Sequence, residues 1–291
     1  MFLSDMTNPS NENYEKRLEV LRLLLEDANI VIIGAGIGFS TRAGYKLDRE
    51  VFDKHFADFE EKYGIESLDE GSDYPFKTDE EYWAYWSRYI KLVRYGDSPS
   101  PLYDNLYKLI KDKDYFVVTT NANHSFQRAN FDRDRLFYIQ GDYGLLQCSE
   151  PCHHKTYDNE GLIEEMVREQ KDMKIPSDLI PHCPKCGKKM ILSLRNDENF
   201  VEDHGWHQAI KRYSDFTRSR IEKRSLFIEL GANLHTHSII RRSFLQQIKE
   251  NSDARYICMN AEELYVDKIM KDKSIFFKED MGKVLEDLLK D

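Results

Sequence analysis

Five short apolar runs recur along the chain, at 29–33, 115–119, 136–139, 226–230 and 255–259, and each ends in a polar or glycine-containing tip. Runs of four or five residues rich in β-branched and aromatic side chains have the length of buried strands. Between them the apolar period lengthens. Leu18, Leu21, Leu24 and Leu25 recur at helical spacing behind Ser10, a candidate helix cap. Leu47, Val51, Phe52, Phe56, Phe59 and Tyr63 form one apolar stripe that Gly64 terminates. Thr78 and Glu81 make a capping box ahead of Tyr82, Trp83, Trp86, Tyr89, Ile90 and Val93, an aromatic stripe suited to a core. Ser100 and Pro101 supply a cap and first-turn proline for one more helix. The stretch from 47 to 95 therefore reads as helices with no strand between them. Elsewhere strand, polar tip and helix alternate, which predicts an α/β fold with a doubly wound parallel sheet. The chain closes on strand-like 274–277 and an amphipathic helix.

Composition narrows the function. The chain has 291 residues, 41% hydrophobic and 12% aromatic, enough for a sizeable core. A formal charge of −10 lacks the basic footprint of a nucleic-acid binder. The longest apolar run, 28–39, is interrupted by glycines and too short to span a bilayer. The first ten residues have neither a basic nor an apolar segment, so no secretory signal is expected and the cytoplasm is the expected location.

Three clusters carry candidate chemistry. The strand at 29–33 runs into Gly34-Ala35-Gly36-Ile37-Gly38, followed by Ser40 and Gly44. A strand feeding a glycine-rich turn is how dinucleotide folds bring backbone close to a pyrophosphate, though a tight turn without a ligand has the same spelling. The tip after 115–119 holds Asn121, Asn123 and His124, and the tip after 136–139 opens with Gln140; both would face one crevice. Cys148 and Cys152, then Cys183 and Cys186, are two close pairs separated by a loop, the spacing of a closed tetrahedral zinc site. His153, His154 and His182 flank the pairs, and a redox-active Cys183–Cys186 pair is the competing reading. Cys258 sits in a strand-like run and is expected to be buried.

Thr120-Asn121-Ala122-Asn123, with Ala129-Asn130 and Gln140-Gly141 after it, resembles the sirtuin signature Q-N-I-D…A-G…H-G. The resemblance is closest to the macrodomain-linked sirtuins, which carry Gln for the histidine and continue G-D-Y-G. It implies a Rossmann-like sheet domain from 1–45, 101–145 and 224–291, an inserted helical cap at 46–100 and a zinc-ribbon module at 146–200. It also implies NAD as cofactor, approached by Gly34, Ala35, Gly36, Ser40 and Gly44. Gly231, Ala232, Asn233, Asn260 and Ala261 would hold the adenosine half, and Asn121, Asn123 and Gln140 would act at the reacting end. His235 and His237 adjoin the first of those tips. Asn130 replaces a helix-ending glycine, a mild change because Asn tolerates the left-handed conformation.

The implied activity follows from one replacement. Sirtuin deacylation uses a histidine to take a ribose proton, and the amide of Gln140 has no titratable proton to offer. Gln140 can still orient a hydroxyl, which suits ADP-ribosyl transfer to a protein acceptor. The resemblance places a lipoylated carrier protein and a macrodomain protein among the partners. Asn123 stands where the family has Asp and lacks that negative charge. Natural divergence, an inactivating change, or a chain that binds NAD without consuming it would each explain it. An NAD- or ADP-ribose-binding sensor is the alternative from another class, with deacylase and NAD hydrolase as further enzyme readings.

Overall fold

The structure is a computed structural model that describes residues 14–45, 49–96, 100–232, 239–260 and 273–290. Ser10, Leu47, Asn233, His235, His237 and Ala261 lie outside them. In chain order the helices are α1 (Tyr14–Asp27), α2 (Ile37–Ser40), α3 (Arg49–Tyr63), α4 (Leu68–Asp73), α5 (Asp79–Val93), α6 (Pro101–Ile110), α7 (Ser125–Arg128), α8 (Glu160–Glu169), α9 (His204–Arg218), α10 (Ile239–Glu250) and α11 (Met281–Leu289). The strands are β1 (Ile30–Ala35), β2 (Asp114–Thr119), β3 (Leu136–Tyr138), β4 (Gly141–Cys148), β5 (Tyr157–Asp158), β6 (Met190–Leu194), β7 (Ser225–Leu230), β8 (Arg255–Met259) and β9 (Ser274–Phe277).

Six strands pair in parallel in the order β3-β2-β1-β7-β8-β9. Every residue of β1 and of β7 is buried, as central strands covered on both faces require. Helices α1, α6 and α11 close one face of the sheet around Leu21, Leu106 and Val284. Helices α9 and α10 close the other through Phe216 and Phe244. The chain leaves β1 for β2 and β3 on one side and later adds β7, β8 and β9 on the other. The order therefore reverses between β1 and β7, and a crevice opens at their carboxyl ends, where ligands sit in such sheets. The doubly wound reading and the five expected strands are all present.

Between β1 and β2 along the chain the expected helices form, for the expected reasons. The Thr78 side chain accepts the Glu81 amide at 3.3 Å, and Ser100 accepts that of Leu102 at 3.2 Å ahead of Pro101. Gly64 ends α3 at φ +69°. Phe52, Phe56, Phe59, Trp83, Tyr85 and Trp86 are buried, so the aromatic stripe is core. That core continues into Leu146, Cys148, Cys183 and Leu192, which belong to an antiparallel sheet of order β5-β4-β6 and the loop beside it. No sequence signal singled out this small sheet. No helix among the described residues is long and apolar enough to cross a membrane.

Candidate active site

Three glycines bring the β1 and β7 tips into backbone contact. Gly36 N–H donates to Leu230 O and Gly38 N–H to Gly231 O, both at 2.9 Å. A Cβ on Gly36 would lie 2.6 Å from Ala232 Cα, and one on Gly38 would lie 2.8 Å from Gly231 O. Gly231 is in the left-handed region at φ +56°, and its Cβ would fall 2.4 Å from Phe39 N. These glycines therefore serve close packing of the tips, with two turn amides donating within the protein. Gly34 makes room for Ile240 and Phe244 of α10. Gly231→Ala is expected to destabilise the fold by about 1–3 kcal/mol, through overpacking and the strained φ. Urea denaturation reads this directly, and an unchanged midpoint would show that the tips can separate freely.

The polar residues of the second tip tie themselves to the first. Thr119 Oγ1 donates to Ala35 O at 2.8 Å and accepts the Asn121 amide at 3.0 Å. Asn121 Nδ2 donates to Gly36 O at 3.0 Å. Asn123 Nδ2 donates to Ser40 Oγ at 3.2 Å, while its Oδ1 accepts the Ser125 amide at the same distance. Ser40 Oγ lies 3.0 Å from the Tyr103 hydroxyl. On the far side Asn260 Nδ2 donates to Ala232 O at 2.8 Å. Ala35, Gly36, Ser40, Asn121, Asn123, Gly231, Ala232 and Asn260 thus form one connected rim. Gly44 lies in the π-helical turn Thr41–Tyr45 just beyond it. Gln140 is exposed past the end of β3, and β3 joins the rim where Ile139 N–H donates to Thr119 O at 2.9 Å.

His124 and Asp142 connect these two tips. His124 Nε2 lies 2.9 Å from Asp142 Oδ2, and Asp142 Oδ1 accepts Arg94 Nε at 2.8 Å and the Gly144 amide at 2.7 Å. Burial pushes the Asp142 carboxyl up, but His124 and Arg94 outweigh it and hold the group below the ordinary carboxylate range. A cavity of about 540 Å³ adjoins Asp142 and Tyr138 and is walled further by Gln127, Ser193, Phe200 and Trp206. Sequence reasoning placed His124 in the crevice but found neither Asp142 nor Arg94 as its companions. Asp142 stands beside Gln140-Gly141, whereas Arg94 follows α5 and no pattern links it to the tip.

The four cysteines converge as expected. Their sulfurs all lie within 4.8 Å of one another, with Cys148 and Cys186 at 3.6 Å and Cys152 and Cys183 at 3.7 Å. Four ligands at about 2.3 Å around a tetrahedral zinc stand about 3.8 Å apart, so the set fits that ion. Burial, then hydrogen bonds with neighbouring thiols, pushes the Cys152 thiol up to about 12, a crowding that a cation would relieve. His153 takes a second-layer place, with Nδ1 3.0 Å from Cys152 Sγ and Nε2 2.8 Å from the Tyr157 hydroxyl. His182 instead meets Ile180 O at 2.8 Å. Cys258 is fully buried in β8, 3.6 Å from Glu229, and plays no part in the metal set.

A reversing parallel sheet with a glycine-packed crevice, an inserted helical segment and a four-cysteine sheet define the Sir2-type architecture. A solved Sir2 homolog–NAD complex matches it with a TM-score of 0.59 at 14% identity, over 93% of this chain and 91% of that one. A protein ADP-ribosyltransferase of Staphylococcus aureus (strain Mu50 / ATCC 700699) is 35% identical over 277 residues, 94% of this chain and 88% of that protein. The chain belongs to the protein ADP-ribosyltransferase family of that relative and carries a Sir2-type fold. A probable bifunctional ADP-ribose hydrolase/ADP-ribosyltransferase of Fusarium oxysporum f. sp. cubense is 28% identical over 251 residues, 80% of this chain and 40% of that longer protein. No protein-family model matches the chain.

Proposed function

We propose that this chain cleaves the bond between nicotinamide and ribose in NAD and transfers ADP-ribose to a protein acceptor. The observation that carries the reading is the 35% identity, over nearly the whole chain, to a protein ADP-ribosyltransferase. The rim supports it. Asn121 and Asn123 are both buried and fixed by hydrogen bonds to the glycine turn and to Ser40, so their amides are positioned before any ligand arrives. Gln140 is exposed past the end of β3, and in this reading its amide orients a hydroxyl but cannot take its proton. In this reading Asn121, Asn123 and Gln140 act at the reacting end. Gly34, Ala35, Gly36, Ser40 and Gly44 surround the phosphates and nicotinamide ribose, and Gly231, Ala232, Asn233, Asn260 and Ala261 hold the adenosine half.

The same reading divides the chain into a sheet domain at 1–45, 101–145 and 224–291, a helical segment at 46–100 and a zinc module at 146–200. The acceptor we favour is a lipoylated carrier protein, with a macrodomain protein acting beside it in the cytoplasm. The pairing of ADP-ribose hydrolase and transferase in the name of the Fusarium relative supports the second partner.

Asn123→Asp tests the reacting end. The carboxylate would still accept the Ser125 amide, and Ser40 could turn its hydroxyl to donate to it, so the tip keeps its shape. A negative charge facing a cationic nicotinamide ring favours NAD binding and electrostatic complementarity. Nicotinamide release should rise about tenfold, on the order of one pKa unit of interaction energy. No gain over the unaltered chain would count against the placement of Asn123.

A further inference from the structure

An exposed amide at Gln140 leaves the proton of the acceptor nucleophile without a place to go, and the second tip holds a group that can take it. We propose that His124 is the base that removes this proton during transfer, with Asp142 as its positioning residue. The inference rests on the transferase reading above.

His124 directly follows Asn123 and holds a left-handed backbone at φ +62°, a conformation uncommon for residues other than glycine and concentrated at functional sites. That conformation turns the ring to Asp142, whose carboxylate lies 2.9 Å from Nε2. A carboxylate accepts only, so Nε2 carries the proton and Nδ1 keeps a lone pair. Nδ1 has no hydrogen-bond partner among the described residues. The groups facing the ring are Asp142 on β4, with Arg94 on its other oxygen, and Tyr138 on β3 at 5.3 Å between ring centres. Arg128 on α7 donates to Asn123 O at 3.4 Å just behind it. Arg94 and the Gly144 amide hold Asp142 from the side away from His124, so the carboxylate is fixed before it orients the imidazole. The 540 Å³ cavity shares Asp142 and Tyr138 with this cluster, which places it directly beside the His124–Asp142 pair.

The step balances with no further reagent. The acceptor atom contributes its lone pair to ribose C1′ as the bond from C1′ to the nicotinamide nitrogen breaks, and that pair returns to the ring as neutral nicotinamide. The acceptor proton passes to His124 Nδ1. The imidazolium then releases it to water.

The test uses the full chain, NAD labelled on its adenylate half and a lysate of the source cells as the pool of acceptors. His124→Gln keeps an N–H for Asp142 but has no titratable lone pair, and His124→Ala opens space for added imidazole. Labelling of the acceptor band by His124→Gln should fall about 100-fold, the middle of the range for general-base catalysis, with NAD affinity within about threefold of the unaltered chain. The acid limb of the labelling rate should flatten, and imidazole should restore part of the rate to His124→Ala. Labelling within about threefold of the unaltered chain, or an acid limb unchanged in His124→Gln, overturns the role of His124 and leaves the transferase reading standing. Absence of labelled protein with the unaltered chain overturns both.

Discussion

Removing zinc with a strong chelator, or replacing Cys183 with Ser, should unfold the β5-β4-β6 sheet and loosen the helical core packed on it. Cys148 and Cys183 are buried in the same cluster as Phe56, Trp86 and Leu192, so the metal and the aromatic core share one set of contacts. Structural zinc sites in small peptides contribute roughly 10–16 kcal/mol to folding at neutral pH. That is comparable to the whole stability of an ordinary domain. The sulfurs would otherwise stand within 3.7 Å of each other in pairs with no cation between them. Trp83 and Trp86 lie in this core and report on it by fluorescence, read beside metal content and thermal melting. Full zinc loss with an unchanged emission spectrum and melting temperature would contradict a structural role.

The second large effect is expected from Asn121→Ala. Its Nδ2 donates to Gly36 O while the Asn121 amide is fixed by Thr119, and its Oδ1 has no hydrogen bond among the described residues. One end of the side chain is anchored and the other is available to a ligand at the reversal point of the sheet. Truncation should lower nicotinamide release about 10²–10³-fold, the loss typical of removing one preorganised polar group at a reacting centre. The lost hydrogen bond itself costs about 0.5–1.5 kcal/mol of stability, because Gly36 O keeps the Phe39 amide as a donor. Melting and turnover measured together separate the two effects. A fall in stability with turnover intact would make Asn121 a structural tie only.

The parts of this molecule that were legible in the sequence are those set by local chemistry. Strand tips announced themselves because Gly36, Asn121 and Gln140 interrupt apolar runs, and Asn130 does adopt the left-handed backbone expected of it, at φ +66°. Cysteine spacing alone pointed to the four residues whose sulfurs converge. The sheet that presents them was not legible, since β5 has two residues and the pairing of β4 with β6 is irregular between Asp142 and Leu146. Helix α9 was hidden for another reason: Phe216 is its one buried residue. Long-range polar contacts left no periodic trace at all. Arg94 meets Asp142 across 48 positions, and Glu229, fully buried in β7, is held by Arg241, Tyr256 and Cys258 from two other elements. The glycine turn shows a subtler gap, because its spelling suggested ligand contact while much of its glycine content serves the approach of β1 to β7.

The transferase reading is tested most directly by incubating the protein with adenylate-labelled NAD and a lysate of its source cells, lipoylated carriers included. Release of nicotinamide with label on a discrete protein band, both abolished in Asn121→Ala, is the predicted result. Tight NAD binding with neither free nicotinamide nor labelled protein would contradict it and leave the chain a sensor of the nucleotide.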